Sequence, residues 1–234
     1  MSKAPVLEIR DLVFSWPGRA WHLRLADLSL APGETLFLHG PSGTGKSTLL
    51  NLIAGTLAKP GGVLRVCGRD LASLSGAARD RLRADHLGII FQQFNLLPFL
   101  SMRENVLLPC RFSRRRSQAA QQRFGSPLKA AETLLQRLGL GDAALRNAPV
   151  VELSVGQQQR VAVARALIGA PDLVLADEPT SALDTALRDE FLDLLFAECT
   201  AANSALLFVS HDLTLARRFA RQSSLARLSQ GAVA

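Results

Sequence analysis

Residues 40–47 read Gly-Pro-Ser-Gly-Thr-Gly-Lys-Ser, and this octet restricts the fold more than any other part of the chain. Four of its first six residues are glycine or proline, so it can be neither regular helix nor strand. The apolar run 35–38 precedes it, and Thr48-Leu-Leu-Asn-Leu-Ile53 follows. The octet is therefore the turn from a buried strand into a helix. In such a turn backbone N–H groups face inward around an anion, and the helix N-terminus adds partial positive charge. Gly40, Pro41, Ser42, Gly43, Thr44, Gly45, Lys46, Ser47 and Thr48 thus form a candidate cradle for the phosphates of a nucleotide such as ATP. Within it Lys46 is placed for the β- and γ-phosphates, and the Ser47 hydroxyl for Mg²⁺.

Further apolar runs at 87–91, 173–176 and 205–209 are continuous instead of alternating, as parallel strands covered on both faces must be. Helical stretches at 47–57, 156–168 and 186–198 fall between the strands. This alternation predicts an α/β fold, a P-loop NTPase core with a mainly parallel sheet. Residues 6–30 and 62–67 carry shorter runs broken by Pro17-Gly18, Pro32-Gly33 and Pro60-Gly61-Gly62, which predict an N-terminal antiparallel β layer. Residues 101–147 are rich in Ala, Leu, Gln and Arg between Pro98 and Pro149. They predict a helical subdomain inserted in the core, over approximately 95–165 in all. With 234 residues, 48% of them hydrophobic, the chain is expected to form a single ordered domain, 1–234.

The net charge is +7, and six of the basic residues (Arg111, Arg114, Arg115, Arg116, Arg123 and Lys129) stand in an acid-free stretch from Asn105 to Ala131. The basic character is therefore local: either a solvated insertion or a face for nucleic acid, lipid headgroups or an acidic partner. No charge-free stretch approaches the length of a spanning helix, and the N-terminus lacks the apolar core of a secretory signal. A cytoplasmic protein follows as the expectation. Cys67, Cys110 and Cys199 lie far apart without metal-ligand spacing, which predicts three free thiols.

A second constellation lies further along. The run 173–176 ends in adjacent carboxylates, Asp177 and Glu178, and Ser210-His211-Asp212 follows the run 205–209. Beside a phosphate cradle, one carboxylate of such a pair can hold Mg²⁺ while the other takes a proton from the attacking water. His211, Asp177 and the cradle all follow strands at their carboxyl ends, where open α/β sheets bind ligands.

Together with Leu153-Ser-Val-Gly-Gln157 and the continuation Pro179-Thr-Ser-Ala-Leu-Asp184, this order resembles the ATP-binding subunits of ABC transporters. The resemblance implies that Asp177 is a metal residue, Glu178 the general base and His211 the switch histidine near the γ-phosphate. It makes Gln92, with Gln93 as its neighbour, the glutamine that touches Mg²⁺ and the water. Trp16 stands where relatives carry a tyrosine that stacks on adenine. Ser154, Gly156 and Gln157 resemble the signature motif, which binds the γ-phosphate held by a second subunit; Val155 replaces a commoner glycine. By the same resemblance two such subunits, alike or different, sandwich ATP, residues 181–184 cross the interface, and separate integral membrane permease subunits dock on the cytoplasmic side. The stretch 91–98 and Met102-Arg-Glu-Asn-Val106 look most like ATPases of the lipoprotein-release and macrolide-export type. The competing reading is a non-transport ABC ATPase such as a cell-division regulator. A nucleic-acid-linked ATPase is disfavoured by the short chain and scattered cysteines.

Overall fold

The computed structural model describes residues 4–16, 22–57, 60–142, 148–181 and 185–230. The predicted turn at Pro17-Gly18 and the segment 182–184 lie outside them. Among the described residues nine strands form two sheets. Strands β1 (Leu7–Ser15), β2 (His22–Leu30), β4 (Gly61–Val66) and β5 (Arg69–Asp70) make an antiparallel sheet in the order β2-β1-β4-β5. Strands β3 (Thr35–His39), β6 (Leu87–Ile90), β7 (Leu173–Asp177), β8 (Ala205–Ser210) and β9 (Arg221–Ser224) make the second sheet, in the order β6-β7-β8-β3-β9, with every pairing parallel.

The continuous apolar strands serve two cores at once, because successive side chains point to opposite faces. Leu36 and Leu38 of β3, Leu173 and Leu175 of β7, and Leu207 and Val209 of β8 pack toward the antiparallel sheet and helix α1 (Lys46–Ile53). Phe37, Val174, Ala176 and Phe208 pack on the other side, against α6 (Val155–Leu167) and α7 (Thr185–Ala202). There Phe37, Phe208 and Phe219 cluster with ring centroids 5.1 to 6.0 Å apart.

Helix α2 (Gly76–His86) leads into β6. The insertion supplies α3 (Met102–Phe112), α4 (Arg114–Phe124) and α5 (Pro127–Arg137), and short α8 (Leu225–Gln230) ends the described chain. Serines cap the insertion helices: Ser101 forms a reciprocal capping box with Glu104, Ser113 starts α4, and Ser126 starts α5. Met102, Val106, Ala130 and Leu134 bury the inner faces of α3 and α5 against α6. Short β5 and α8 escape the sequence reading, and so do two longer elements. Helix α2 is so polar that no apolar stripe marks it, and β9, Arg-Gln-Ser-Ser, is an edge strand recruited by β3.

Candidate nucleotide site

Because the second sheet is parallel, the residues after β3, β6, β7 and β8 emerge at one edge. That edge carries a cleft of about 450 Å³, lined by Trp16, the loop residues Ser42 to Thr48 in part, Gln92 and Glu178. Gly43 (φ 79°) and Gly45 (φ 99°) take left-handed backbone conformations that side chains rarely adopt, which lets the loop curl over the start of α1. Lys46, only 6% exposed, donates from Nζ to the carbonyls of Gly40 (2.8 Å) and Pro41 (3.0 Å). Thr44 Oγ1 donates to the Pro41 carbonyl at 2.8 Å. The loop is thus held by its own residues in a form that presents the ammonium to the cleft.

At the end of β7, Asp177 accepts a hydrogen bond from the Ser47 side chain. Burial raises its carboxyl above the usual range and neighbouring Glu178 adds to the rise, against the Ser47 hydrogen bond and the Lys46 charge. Glu178 has φ 44°, a left-handed backbone for a residue with a side chain, and its N–H donates to Val209 O at 2.9 Å. Its carboxylate lies 2.9 Å from His211 Nδ1 through Oε2 and 3.8 Å from Lys46 Nζ through Oε1. Ser47, Asp177 and Gln92 offer hydroxyl, carboxylate and amide oxygens, the donor chemistry that a hard divalent cation prefers. Gln92 lines the cleft, and Gln93 is not among its lining residues. Trp16 reaches the cleft from the end of β1, its indole in a T-shaped pair with Phe14, ring centroids 5.4 Å apart.

Ser154, Gly156 and Gln157 are not brought into this cleft. They stand at the start of α6, where Ser154 Oγ accepts from the Gln157 N–H (3.3 Å) and Gln157 Oε1 accepts from the Ser154 N–H (2.8 Å). A Cβ placed on Gly156 would meet open space, and Val155 is 52% exposed as the first helical residue.

Several residues that organise the site carried no signal in the sequence. Gln159, buried in α6, donates its amide to Pro179 O, directly after the carboxylate pair. Arg165, near the end of α6, donates to Phe94 O (2.5 Å) and Asn95 O (2.7 Å), the two left-handed residues that follow Gln92 and Gln93. Asn105, fully buried in α3, bonds both the N–H and the carbonyl of Leu97.

The basic run is also resolved. Arg116 is 2% exposed and donates to Ile168 O (2.7 Å), Leu87 O (3.1 Å) and Ala166 O (2.6 Å). Arg115 pairs with Asp172 at 2.9 Å and donates to Asp85 O at 2.8 Å. Burial pushes Arg116 and Arg165 down to about 10, so both stay charged at neutral pH. Two of the six residues in what looked like a surface stripe thus fasten the insertion to the sheet. Gly169 passes so close to this clasp that a Cβ there would meet Arg116 O at 2.5 Å.

The ABC transporter family profile matches residues 23–181. A lipoprotein-releasing system ATP-binding protein, LolD, of Pseudomonas fluorescens is 40% identical over 224 residues, covering 94% of this chain and 95% of the relative. The macrolide export ATP-binding/permease protein MacB of Marinobacter nauticus is 39% identical over 97% of this chain, which spans 34% of that longer protein. Among solved structures, the dimeric post-hydrolysis state of the ATP-binding cassette MJ0796, bound to ADP and Pi, superposes with a TM-score of 0.78 at 33% identity, covering 93% of each chain.

Proposed function

Since the chain belongs to the ABC transporter family, with ATP binding and hydrolysis as its activity, we propose that it powers a membrane complex of the lipoprotein-release or macrolide-export type from the cytoplasmic face. The observation that carries this reading is the carboxylate of Glu178, held between His211 and Lys46 at the rim of a phosphate-binding cleft.

In this reading Trp16 stacks on the adenine, and the loop amides with Lys46 bind the β- and γ-phosphates. Incoming phosphate oxygens replace the Gly40 and Pro41 carbonyls as acceptors for the lysine. Ser47, Asp177 and Gln92 would hold Mg²⁺, which when bound neutralises charge on the phosphate oxygens. Glu178 takes the proton of the attacking water, and His211 orients the carboxylate and faces the γ-phosphate. Ser154, exposed, with Gly156 and Gln157, half-buried, lie outside their own cleft and complete the cleft of a second cassette; the dimeric state of the structural relative supports this. The whole chain, 1–234, acts as one unit, the helical part at approximately 95–165 included.

For the membrane partner, an apolar groove of about 300 Å³ lies beside Gln92, between α2, β6 and α3. Leu87, Ile89, Phe91 and Leu108 line it, and Phe112 stands 72% exposed at its edge. Among the described residues no helix is long and apolar enough to cross a membrane. A permease segment docked in this groove would supply the crossing. Glu178→Gln tests the reading: ATP binding persists, turnover falls roughly 10²–10⁴-fold, and an ATP-bound dimer accumulates. Rapid hydrolysis by the variant would overturn the base assignment.

A further inference from the structure

We propose that Cys67, His86 and Asp172 bind one thiophilic divalent cation of the zinc class, at the edge of the sheet opposite the nucleotide. One ligand atom from each, the thiol sulfur, an imidazole nitrogen and a carboxylate oxygen, lies within 4.8 Å of both others. Asp172 directly precedes β7 and Asp177 ends it, so about 16 Å of strand separates this cluster from the cleft.

Two of the three ligands are already fixed relative to each other. The Asp172 N–H donates to His86 O at 2.9 Å, and His86 Nδ1 lies 2.7 Å from Asp172 Oδ2. Cys67 is held independently: it sits in the β4–β5 turn with φ 50°, and its N–H donates to Val6 O at 2.8 Å. Arg115 donates to Asp172 Oδ1 at 3.1 Å and pairs with Oδ2 at 2.9 Å, and so orients the carboxylate as hydrogen-bonded neighbours of metal ligands do. Its charge, with that of Arg69 nearby, opposes a cation. The thiolate and carboxylate together offset the two.

A tetrahedral ion with bonds of about 2.0–2.3 Å needs ligand atoms roughly 3.3–3.8 Å apart. The His86–Asp172 pair, 2.7 Å apart, opens by about 1 Å as the ion replaces their hydrogen bond, and side-chain rotation draws in the wider-spaced ligand atoms by about the same amount. Sulfur, nitrogen and oxygen ligands in this mixture suit zinc and leave a fourth position for water. On binding, the Cys67 proton leaves to solvent. The ion would join the antiparallel layer, α2 and β7 at one point. Sequence spacing excludes only local ligand motifs, and residues 67, 86 and 172 meet through the fold alone.

The test is a Co²⁺ titration of the full chain after chelation and dialysis, with excess Mg²⁺ present to fill the oxygen donors of the cleft. One equivalent should give tetrahedral visible bands and a thiolate-to-cobalt charge-transfer band, both abolished by Zn²⁺. Cys67→Ser removes the charge-transfer band, His86→Gln weakens binding at least tenfold, and Asp177→Asn leaves the spectrum unchanged. Melting of Cys67→Ser in chelator at the wild-type temperature certifies its fold. A six-coordinate spectrum, or a thiolate band that survives Cys67→Ser, would overturn the site and leave His86, Asp172 and Arg115 as an ion-pair network beside a bystander thiol.

Discussion

Lys46 and Arg116 are both buried cations whose hydrogen bonds go mainly to backbone carbonyls, yet they do opposite work. Lys46 bonds carbonyls five and six residues away in its own loop, with Glu178 at 3.8 Å. Those partners can be exchanged for a ligand at little cost because the loop stays folded around its glycines. Arg116 bonds carbonyls 29 to 52 residues away, on β6 and at the end of α6. No ligand can take their place without opening the core. Local carbonyl partners make a reversible site, and distant ones make a permanent joint.

The comparison is broken most forcefully at Arg116. Arg116→Leu strands the Leu87, Ala166 and Ile168 carbonyls, each worth about 1–3 kcal/mol when left without a donor. A stability loss of about 3–5 kcal/mol is expected, seen as a fall in melting temperature of roughly 10 °C. Arg116→Lys keeps the charge but lacks the fork, and should retain most of that loss. Lys46→Ala is the smaller perturbation and reads out differently. ATP affinity should drop roughly 10–100-fold, the worth of a charge-assisted hydrogen bond, with much less loss of stability than Arg116→Leu. Equal destabilisation by the two variants would erase the distinction.

The smallest effect is expected at Asp177. Burial holds its folded carboxyl above the unfolded value of about 3.9, so the folded chain grips that proton more tightly. Stability is then greatest with the carboxyl protonated, falls as pH rises through the raised folded value, and stays lower beyond it. Asp177→Asn should therefore melt above wild type near neutral pH, with the difference closing below about pH 4, while it impairs Mg²⁺-dependent hydrolysis.

The same division between local and distant partners explains how much was legible in the sequence. The cradle and the strand ends are written in consecutive residues, so strands β3, β6, β7 and β8 fall within a residue or so of their expected positions. The placement of the cradle, Asp177 and His211 at one edge followed from parallel strand order. Helix α1 is shorter than its apolar run suggested, because Gly55 (φ 69°) ends it. What stayed hidden depends on partners distant in the chain. Arg115 and Arg116 read as surface charge because only the fold shows Asp172 and the carbonyls beneath them. Arg165, Gln159 and Asn105 look like ordinary helical residues until the loops they hold are in place. Polar α2 and edge strand β9 lack the apolar pattern on which such reading rests.

Glu178 carries its side chain on a left-handed backbone, a conformation that costs on the order of 1 kcal/mol and that glycine adopts freely. A screen that rewarded heat resistance alone would therefore favour Glu178→Gly, which relaxes the turn after β7 and discards the carboxylate. At this position the sturdier protein is the idle one, and the tension at the rim of the cleft persists only while turnover is what selection counts.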